Sequence, residues 1–550
     1  MDKNLVEKIP EDTNKGECMN GNINKIKFLI PILELTLLIM LFNCNYAIVD
    51  DAMINYFTQG LCGIGYNQIA IPYVGIIVTG LVYVIQLIVP MINGYLCYLL
   101  LSIAIIFSVL DYLLYKRQAV WIEHIIMYIF EAIVFFQLTY TVVAYLWCFM
   151  GILLYSEKFG IDRRKKLVLI PICAEIFGIS TRTDVWFTSM ILCFPFAVYE
   201  WKEKNNSNQL KMILLSFILF ISIKGVNQFV YHYSEVEKDY IEWNQASTEI
   251  RDYEAIPYSE YEEDYKELSL SENDVAFLQT WMFADKERFD IDTLKSIAQL
   301  RSVSKTYELN PLKIFSAAVK NRTYVFIFML AILLGIFRKN NIYALGEIGV
   351  TALMLVGLII RKRVVMRVII PVVLICAIVF LIYKLDFGKR RIIKFKNFMA
   401  FVIVILCLLE LKKENILQIN STYVGKEELN NYITNNKDRM FVFSSFPALY
   451  QTQGNICKLS VDKNDYLNNI ICLGDWGTFS NQYYSVLEKN GVQERDNIFK
   501  ALLEENVYLI CDNDETIKRL ENYYTEYYKG KVNVQYIATI DAENIYEIRR

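Results

Sequence analysis

Twelve apolar runs lie between Phe28 and Leu411, and they constrain the fold of this chain more than any other feature. A transmembrane helix needs about 20 mostly apolar residues, and most of these runs approach that length. The runs cover Phe28–Tyr46, Tyr73–Met91, Gly94–Tyr115, Ala119–Gln137, Leu138–Tyr155, Leu167–Arg182, Trp186–Trp201, Leu210–Val230, Tyr324–Phe337, Ile342–Ile360, Val364–Tyr383 and Phe395–Leu411. Because 55% of all residues are hydrophobic, the sequence predicts a polytopic α-helical membrane protein.

Positive charge indicates which runs cross the bilayer, because Lys and Arg concentrate on the cytoplasmic side. The basic clusters next to the runs are Lys116-Arg117, Arg163–Lys166, Lys202 with Lys204, Arg338-Lys339 and Lys389–Lys396. All of them face the cytoplasm only if Tyr73–Met91 lies along the outer surface as a juxtamembrane helix. The sequence therefore predicts about 11 spans in the cell membrane, with a cytoplasmic N-terminus and an extracellular C-terminus.

Two polar regions separate or follow the spans, and this topology places both outside the cell. Residues 234–322 form an acidic loop rich in Tyr and Trp, and residues 412–550 alternate short apolar runs with helical patterns. That alternation predicts an α/β domain with a parallel sheet, closed by a β-hairpin. The predicted division is a cytoplasmic tail at 1–27, a first transmembrane half at 28–233 with an outer loop at 47–93, the acidic loop at 234–322, further transmembrane helices at 323–411 and the extracellular domain at 412–550.

Composition excludes several classes of function. The formal net charge of −3 gives no general attraction to nucleic acid. The sequence has only two histidines, His124 and His232, so a histidine-rich metal site is excluded by count. The 12 cysteines include no CxxC pair, and their spacing is not that of a disulfide framework. Candidate functional residues are therefore sought among charged side chains near the spans.

Two adjacent carboxylates, Asp50 and Asp51, directly follow the first apolar run. Neighbouring acids repel one another and are costly to hold close to lipid. The pair either marks the point where the first helix leaves the membrane or belongs to an active site on the outer face. Because acids at the membrane are often functional, we favour a catalytic carboxylate.

A first transmembrane helix ending in an outward Asp50-Asp51 pair, a surface-lying apolar helix and a many-span bundle together resemble the GT-C fold of membrane glycosyltransferases. Within that fold, the chain is similar to bacterial proteins with a C-terminal soluble domain. The resemblance implies transfer of a sugar from a polyprenyl-phosphate carrier to a cell-envelope glycan, lipid or protein on the outer face. It also implies that an acid of the pair serves as base or metal ligand. A divalent metal at Asp50 and Asp51 is allowed, since hard cations prefer carboxylate oxygens, but nothing else in the sequence forms a ligand set.

The chemistry of glycosyl transfer gives an independent reason for the acids. Transfer to a hydroxyl needs a base near the attacking oxygen, and a carboxylate can supply one. The anomeric carbon gains positive charge in the transition state, so a nearby negative charge also helps. We expect a single displacement with inversion, in which Asp50 or Asp51 is the base. The sequence does not distinguish between the two.

Arginines are the candidate ligands for the departing lipid phosphate, because a planar guanidinium donates two hydrogen bonds and stays charged near lipid. Arg182 lies in a short polar break that the topology places outside. Arg361, Arg363 and Arg367 fall on the same side, against the positive-inside tendency. A salt bridge with Asp184, snorkelling at a helix end or a wrong span count would also explain these charges.

Two other classes of function stay open. A flippase or transporter of lipid-linked glycans would carry charges along a path through both leaflets of the bilayer. A non-catalytic protein of envelope assembly would bind partners through the outer regions and would tolerate loss of Asp50 and Asp51. The sugar, the acceptor and the linkage are not indicated by any residue.

Overall fold

A computed structural model of the chain is mostly helical, with one small sheet near the C-terminus. The described residues are 29–42, 44–60, 69–155, 169–253, 255, 257–303, 322–336, 341–360, 365–383, 401–402, 405–406, 409, 426–454, 456–462, 466–475 and 477–550. The predicted tail at 1–27 and most of the predicted span Phe395–Leu411 therefore lie outside the described residues. So do the predicted basic clusters Arg163–Lys166, Arg338-Lys339 and Lys389–Lys396.

Apolar helices pack around one long buried core. The helices before the acidic loop are α1 (Ile30–Leu41), α2 (Val49–Gln59), α3 (Ile76–Ile88), α4 (Gly94–Lys116), α5 (Trp121–Phe136), α6 (Tyr140–Leu154), α7 (Leu169–Thr181), α8 (Val185–Lys204) and α9 (Asn208–Tyr231). The loop contributes α10 (Glu235–Tyr253), α11 (Glu262–Glu267), α12 (Glu272–Gln279) and α13 (Ile291–Val303), and the bundle continues with α14 (Arg322–Ile336), α15 (Asn341–Ile360) and α16 (Met366–Ile382). Helix α6 is buried along its whole length and is therefore part of the bundle centre.

Three described helices are long and apolar enough to cross a membrane, namely α4, α9 and residues Ile342–Ile360 of α15. Helices α1, α3, α6, α7, α14 and α16 are also apolar but shorter. At about 1.5 Å per residue, a helix needs roughly 20 residues to match a hydrocarbon core about 30 Å thick. The helical membrane-type bundle is thus observed, whereas the number of eleven crossings stays a prediction.

The bundle has two ends with different side chains. At one end α2, α6 and α16 begin, and Arg367 of α16 pairs with Asp50 of α2. At the other end, the Arg117 guanidinium lies 5.0 Å from the centroid of the Tyr383 ring, and Gln209 donates a hydrogen bond to the Tyr383 hydroxyl. We call these the Asp50 end and the Arg117 end.

Helix α3 lies across the Asp50 end instead of running between the two ends. Just before α3, the backbone N–H of Gly75 donates to the carbonyl of Ser180, in the last turn of α7, over 2.6 Å. Just after α3, the backbone N–H of Asn93 donates over 2.8 Å to the carbonyl of Leu459, which belongs to the C-terminal region. That region packs on the Asp50 end, so both ends of α3 are held there.

The C-terminal region contains a five-stranded sheet of order β2-β1-β3-β5-β4. Its strands are β1 (Met440–Phe443), β2 (Ile470–Cys472), β3 (Val507–Cys511), β4 (Asn533–Ile540) and β5 (Glu543–Arg549). The helices around them are α17 (Glu427–Asn435), α18 (Phe446–Gln453), α19 (Asn481–Lys489), α20 (Ile498–Ala501) and α21 (Asp514–Tyr528). Strand β1 pairs in parallel with β2 and β3, and β4 and β5 form an antiparallel hairpin at the edge. The predicted parallel sheet and closing hairpin are confirmed.

The acidic loop and the sheet share one hydrophobic core, which we call the outer body (described residues of 235–303 and 426–550). Trp243 of α10 packs edge-on against Phe479, with ring centroids 4.9 Å apart. The hydroxyl of Tyr523 in α21 donates to Asp285 Oδ2 over 2.6 Å. The polar regions predicted at 234–322 and 412–550 thus pack together, because their aromatic side chains are buried against each other.

The outer body docks on the Asp50 end through α2 and the segment that follows α3. Gln482 Nε2 donates to the carbonyl of Phe57 over 3.1 Å. The backbone N–H of Val461 donates to the carbonyl of Met91 over 2.9 Å. Val49 and Asp50 at the start of α2 line a cavity together with residues that follow β1 and β2, so the carboxyl ends of these strands lie close to the start of α2.

Two thiols provide a test of this docking. Cys44 Sγ, before α2, lies 3.2 Å from Cys457 Sγ of the outer body. Mild oxidation of the full chain in membranes should therefore join these residues in a disulfide, detected by mass spectrometry of unreduced peptides. A Cys457→Ser variant is the control and should leave Cys44 open to alkylation. If both thiols of the oxidised wild-type chain are alkylated instead, the outer body does not dock as described.

Candidate active site

The acidic pair opens helix α2. The residue before the helix, Ile48, is extended and its side chain provides no cap. Carboxylates in the first turn of a helix interact favourably with the positive end of the helix dipole. Asp50 and Asp51 nevertheless face different surroundings, because successive side chains on a helix are rotated by about 100°.

Asp51 is fully buried beneath the start of α2. Its Oδ1 accepts a hydrogen bond from the Tyr95 hydroxyl over 2.6 Å and another from the backbone N–H of Tyr140 over 2.9 Å. The pKa of Asp51 is raised to about 7, mainly because the side chain is buried and to a smaller extent because of the charge of Asp50. The two hydrogen bonds act in the opposite direction and lower it. Asp51 thus joins the starts of α2, α4 and α6.

Asp50 faces an open space. Its side chain is 31% exposed, and its Oδ2 accepts a hydrogen bond from Arg367 Nη1 over 2.7 Å. Within the part of the chain that the structure describes, no hydrogen bond engages Oδ1. Asp50 also lines a cavity of about 380 Å³. Asp51 Oδ2 also has no hydrogen-bond partner among the described residues, but it is buried, so Asp50 is the acid with access to a cavity.

Arg182 lies beside the pair, just after the end of α7. Its Nη1 donates to Thr141 Oγ1 over 2.7 Å and to the Tyr140 hydroxyl over 3.0 Å. Burial alone would lower the pKa of Arg182, but the nearby Tyr140, Asp184 and Asp50 together raise it. The Arg182 charge is therefore permanent and acts close to the acidic pair.

The structure brings together four of the six residues that the sequence analysis selected. Asp50, Asp51, Arg182 and Arg367 meet at the Asp50 end, although Arg367 lies 317 positions along the chain from Asp50. The ion pair gives Arg367 a partner of opposite charge at the Asp50 end. Arg361 and Arg363 lie outside the described residues.

The cavity beside Asp50 lies at the carboxyl ends of β1 and β2. Its other walls come from Ser444 and Ser445 after β1, Gly474 and Asp475 after β2, the start of α18, and Thr280 and Trp281 after α12. The chain leaves β1 for β2 on one side and then crosses to β3 on the other. Open α/β sheets bind ligands at the carboxyl ends of their strands near such a reversal.

Close backbone contacts shape this cavity. A Cβ atom on Gly474 would lie 1.8 Å from the carbonyl oxygen of Trp281, so only glycine fits there. A Cβ atom on Gly477 would lie 2.8 Å from Met53 Cε of α2. The loop after β2 is therefore held between α2 and Trp281, whose side chain is 44% exposed.

Sequence reasoning missed Tyr95 and Tyr140 as parts of this site. Gly474 and Asp475 directly follow a predicted strand, and this position in α/β domains was the available signal for the cavity. No local pattern marks Tyr95 or Tyr140, because their role depends on contacts with Asp51 in a distant segment.

A metal centre is not assembled by the described residues, in which no group of three His, Cys, Asp or Glu side chains could hold an ion. At the acidic pair, Asp51 Oδ1 is bonded to Tyr95 and Asp50 Oδ2 to Arg367. The divalent metal that the sequence allows at Asp50 and Asp51 stays a prediction.

The site offers Asp50 Oδ1, which accepts no hydrogen bond from a described residue, two guanidinium groups on the bundle side and a cavity on the side of the outer body. A carboxylate in this position can accept a proton from a hydroxyl, and paired guanidinium groups can bind a phosphate. No protein-family model matches this chain, and no curated protein is similar enough in sequence to be matched.

Proposed function

We propose that this chain is a membrane glycosyltransferase of the GT-C type. It transfers a sugar from a polyprenyl-phosphate carrier to a cell-envelope acceptor on the outer face of the cell membrane. The observation that carries the proposal is the position of Asp50, which has Arg367 on one side and the cavity on the other. A glycosyl transfer needs a base beside the acceptor hydroxyl and a positive charge beside the departing phosphate.

The proposed step is a single displacement at the anomeric carbon. The acceptor hydroxyl gives its proton to Asp50 Oδ1 while its oxygen bonds to the anomeric carbon. The bond between that carbon and the phosphate oxygen breaks, and the electron pair leaves with the lipid phosphate. Arg182 and Arg367 stabilise the charge that gathers on the phosphate, because charge-assisted hydrogen bonds are the strongest available to it. Attack opposite the leaving group inverts the anomeric configuration.

The orientation of the bundle supports a reaction on the outer face. Lys116 and Arg117 lie together at the Arg117 end, which suits the cytoplasmic side. The Asp50 end carries the outer body and the surface-lying α3. Eleven crossings, with α3 outside the membrane, account for this arrangement with the N-terminus in the cytoplasm and the C-terminus outside.

Transport of a lipid-linked glycan is the second candidate, and buried acids inside the bundle favour it. His124 Nδ1 lies 2.5 Å from Asp111 Oδ1, and Glu131 of the same helix as His124 is fully buried. Ionisable groups inside a membrane often serve proton coupling. Asp111 and His124 lie toward the Arg117 end, away from the cavity, so we favour transfer.

Glycan analysis of a deletion strain tests the proposal. Mass spectrometry should show that one sugar is missing from the envelope of deletion cells and restored by the wild-type chain. The sugar-charged carrier should accumulate on the outer leaflet. A transporter predicts accumulation on the inner leaflet instead. Identical envelope glycans in deletion and wild-type cells would contradict both.

A further inference from the structure

We propose that the cavity beside Asp50 is a saccharide-binding site, and that the acceptor of the reaction is therefore a sugar hydroxyl. The site is formed by Trp281, Asp475 and Ser445 together with Asp50. This inference rests on the proposed function for its place in the reaction. The proposal that the cavity binds a saccharide depends only on the cavity and not on the transfer reaction.

The cavity carries the two kinds of group that sugars need. Trp281 keeps 44% of its surface exposed at the cavity wall, and its backbone has a positive φ of 62°. A pyranose presents an apolar face of C–H groups, and an aromatic ring that is not covered by the protein can pack against it. The positive φ comes from the turn that ends α12, in which the N–H groups of Trp281 and Met282 donate to the carbonyls of Leu278 and Phe277. The exposed ring of Trp281 is therefore the feature available to a sugar.

Hydroxyl-binding oxygens face the same space. Asp475 Oδ1 accepts a hydrogen bond from the backbone N–H of Gly477 over 2.6 Å, which fixes the carboxylate. Among the described residues, no hydrogen bond engages Asp475 Oδ2. Ser445 occupies the N-cap position of α18, but its side chain makes no capping bond. These oxygens are therefore available to a ligand, in addition to Asp50 Oδ1.

Charge selects a neutral polyol over an anion. Asp50 and Asp475 both line the cavity, and two carboxylates repel a phosphate or a carboxylate ligand. The guanidinium groups of Arg182 and Arg367 do not line it. The phosphate of the carrier thus belongs on the arginine side of Asp50, and the acceptor sugar belongs on the cavity side.

Size is also compatible with a saccharide. A cavity of about 380 Å³ lies near the lower end of the range typical of small-molecule sites, which is roughly 300–1,000 Å³. A ligand of one or two sugar rings suits this volume, whereas a folded protein segment does not. Of the three acceptor classes, a glycan or a glycolipid fits best.

Saturation-transfer NMR on the full chain in nanodiscs tests binding without requiring transfer. The probes are methyl glycosides of glucose, galactose, mannose, rhamnose and N-acetylglucosamine. At least one probe should bind to the wild-type chain and to Asp50→Asn, and its affinity should fall by about tenfold or more in Trp281→Ala and Asp475→Asn. Trp281→Phe keeps a ring and should retain most binding. Trp121→Ala is the control, since Trp121 is 69% exposed but lies far from the cavity, next to the Arg117 end.

The outcomes separate this inference from the proposed function. No binding of any probe to the wild-type chain, or equal binding to Trp281→Ala, would overturn the saccharide site. Binding that depends on Trp281, with envelope glycans that do not change on deletion, would keep the site and reject the transferase.

Transfer kinetics and envelope analysis then identify the role of the sugar. With the acceptor found by the glycan comparison, Trp281→Ala should raise the acceptor KM by about tenfold, with kcat and the donor KM within about twofold of wild type. An equal loss in both KM values would refute an acceptor site. The envelope of Trp281→Ala cells is separated into a polymer fraction and a lipid extract. Loss of the sugar from the polymer fraction indicates a glycan acceptor, and loss from the lipid extract indicates a glycolipid acceptor.

Discussion

Replacement of Asp50 by Asn should lower the rate of sugar transfer by about 10²- to 10⁴-fold, the usual contribution of a general base. Asn is nearly isosteric with Asp and can still accept the hydrogen bond from Arg367, but it cannot take a proton from the acceptor hydroxyl. The measurement is transfer by the purified chain in nanodiscs, with thermal unfolding as a check on folding. A fully active Asp50→Asn variant would end the proposal that this residue is the base.

The neighbouring Asp51→Asn variant is the matched control. Asp51 is buried and bonded to Tyr95 and Tyr140, so it positions the site and has no access to the acceptor. An Asn at this position can accept the same two hydrogen bonds, and transfer should fall by about tenfold at most. If Asp51→Asn abolishes transfer while Asp50→Asn spares it, the two roles are reversed.

The contribution of Asp51 to stability should fall as the pH rises. The pKa of Asp51 is about 7 in the folded chain against 3.8 as its ordinary value, so the folded state binds the proton more tightly. Its contribution to stability is complete below about pH 4, declines as the pH rises to about 7 and is constant above that. Because one unit of pKa difference corresponds to roughly 1.4 kcal/mol, the free energy of unfolding should fall by up to about 4 kcal/mol over this range. Asp51→Asn should therefore unfold at a higher temperature than wild type at pH 8, and this advantage should shrink toward pH 4.

Loss of both Arg182 and Arg367 is expected to have the second largest effect, on binding of the donor. Removal of a charged hydrogen-bond partner costs about 1.5–3 kcal/mol, so each Ala substitution should weaken binding of the polyprenyl-phosphate sugar by roughly 10- to 150-fold. The loss of affinity should be largest in the double variant. It should be seen only with ligands that carry the phosphate, so a free sugar with no phosphate should bind equally to all variants. Donor binding to detergent-solubilised protein is the measurement.

Arg439→Ala is the control for these variants. Arg439 lies 4.9 Å from the ring centroid of Tyr508, and Arg182 lies 5.1 Å from that of Tyr140, so the two substitutions remove similar contacts with a ring. Arg439 directly precedes β1 and should not affect the donor. Equal donor affinity in wild type and in the Arg182→Ala, Arg367→Ala double variant would place the phosphate elsewhere.

Local patterns in the sequence were sufficient for much of the fold. Long apolar runs predicted the helical bundle because burial in lipid requires continuous apolar surface. The strand and helix alternation after residue 412 predicted the parallel sheet, and the hairpin of β4 and β5 was found at its edge. The helices fell short of the predicted spans in several places, since α6 contains only 15 residues. Span length is thus less well predicted than span position.

The acidic pair and the arginines could be selected from the sequence because charges next to apolar runs are rare and costly. Their roles could not be assigned in that way. Whether Asp50 or Asp51 faces a cavity depends on how α2 is rotated against α4 and α6, and this rotation is set by bonds from Tyr95 and Tyr140 to Asp51. No pattern within α2 contains that information.

The sequence by itself determined the membrane-type bundle, the C-terminal sheet and the acids and arginines worth testing, because each depends on neighbours along the chain. Only the tertiary structure decided that Arg367 pairs with Asp50 and that Trp281 and Asp475 share a cavity with it. These residues are separated by hundreds of positions, and a hydrogen bond or a cavity wall forms only when packing brings them within a few ångströms.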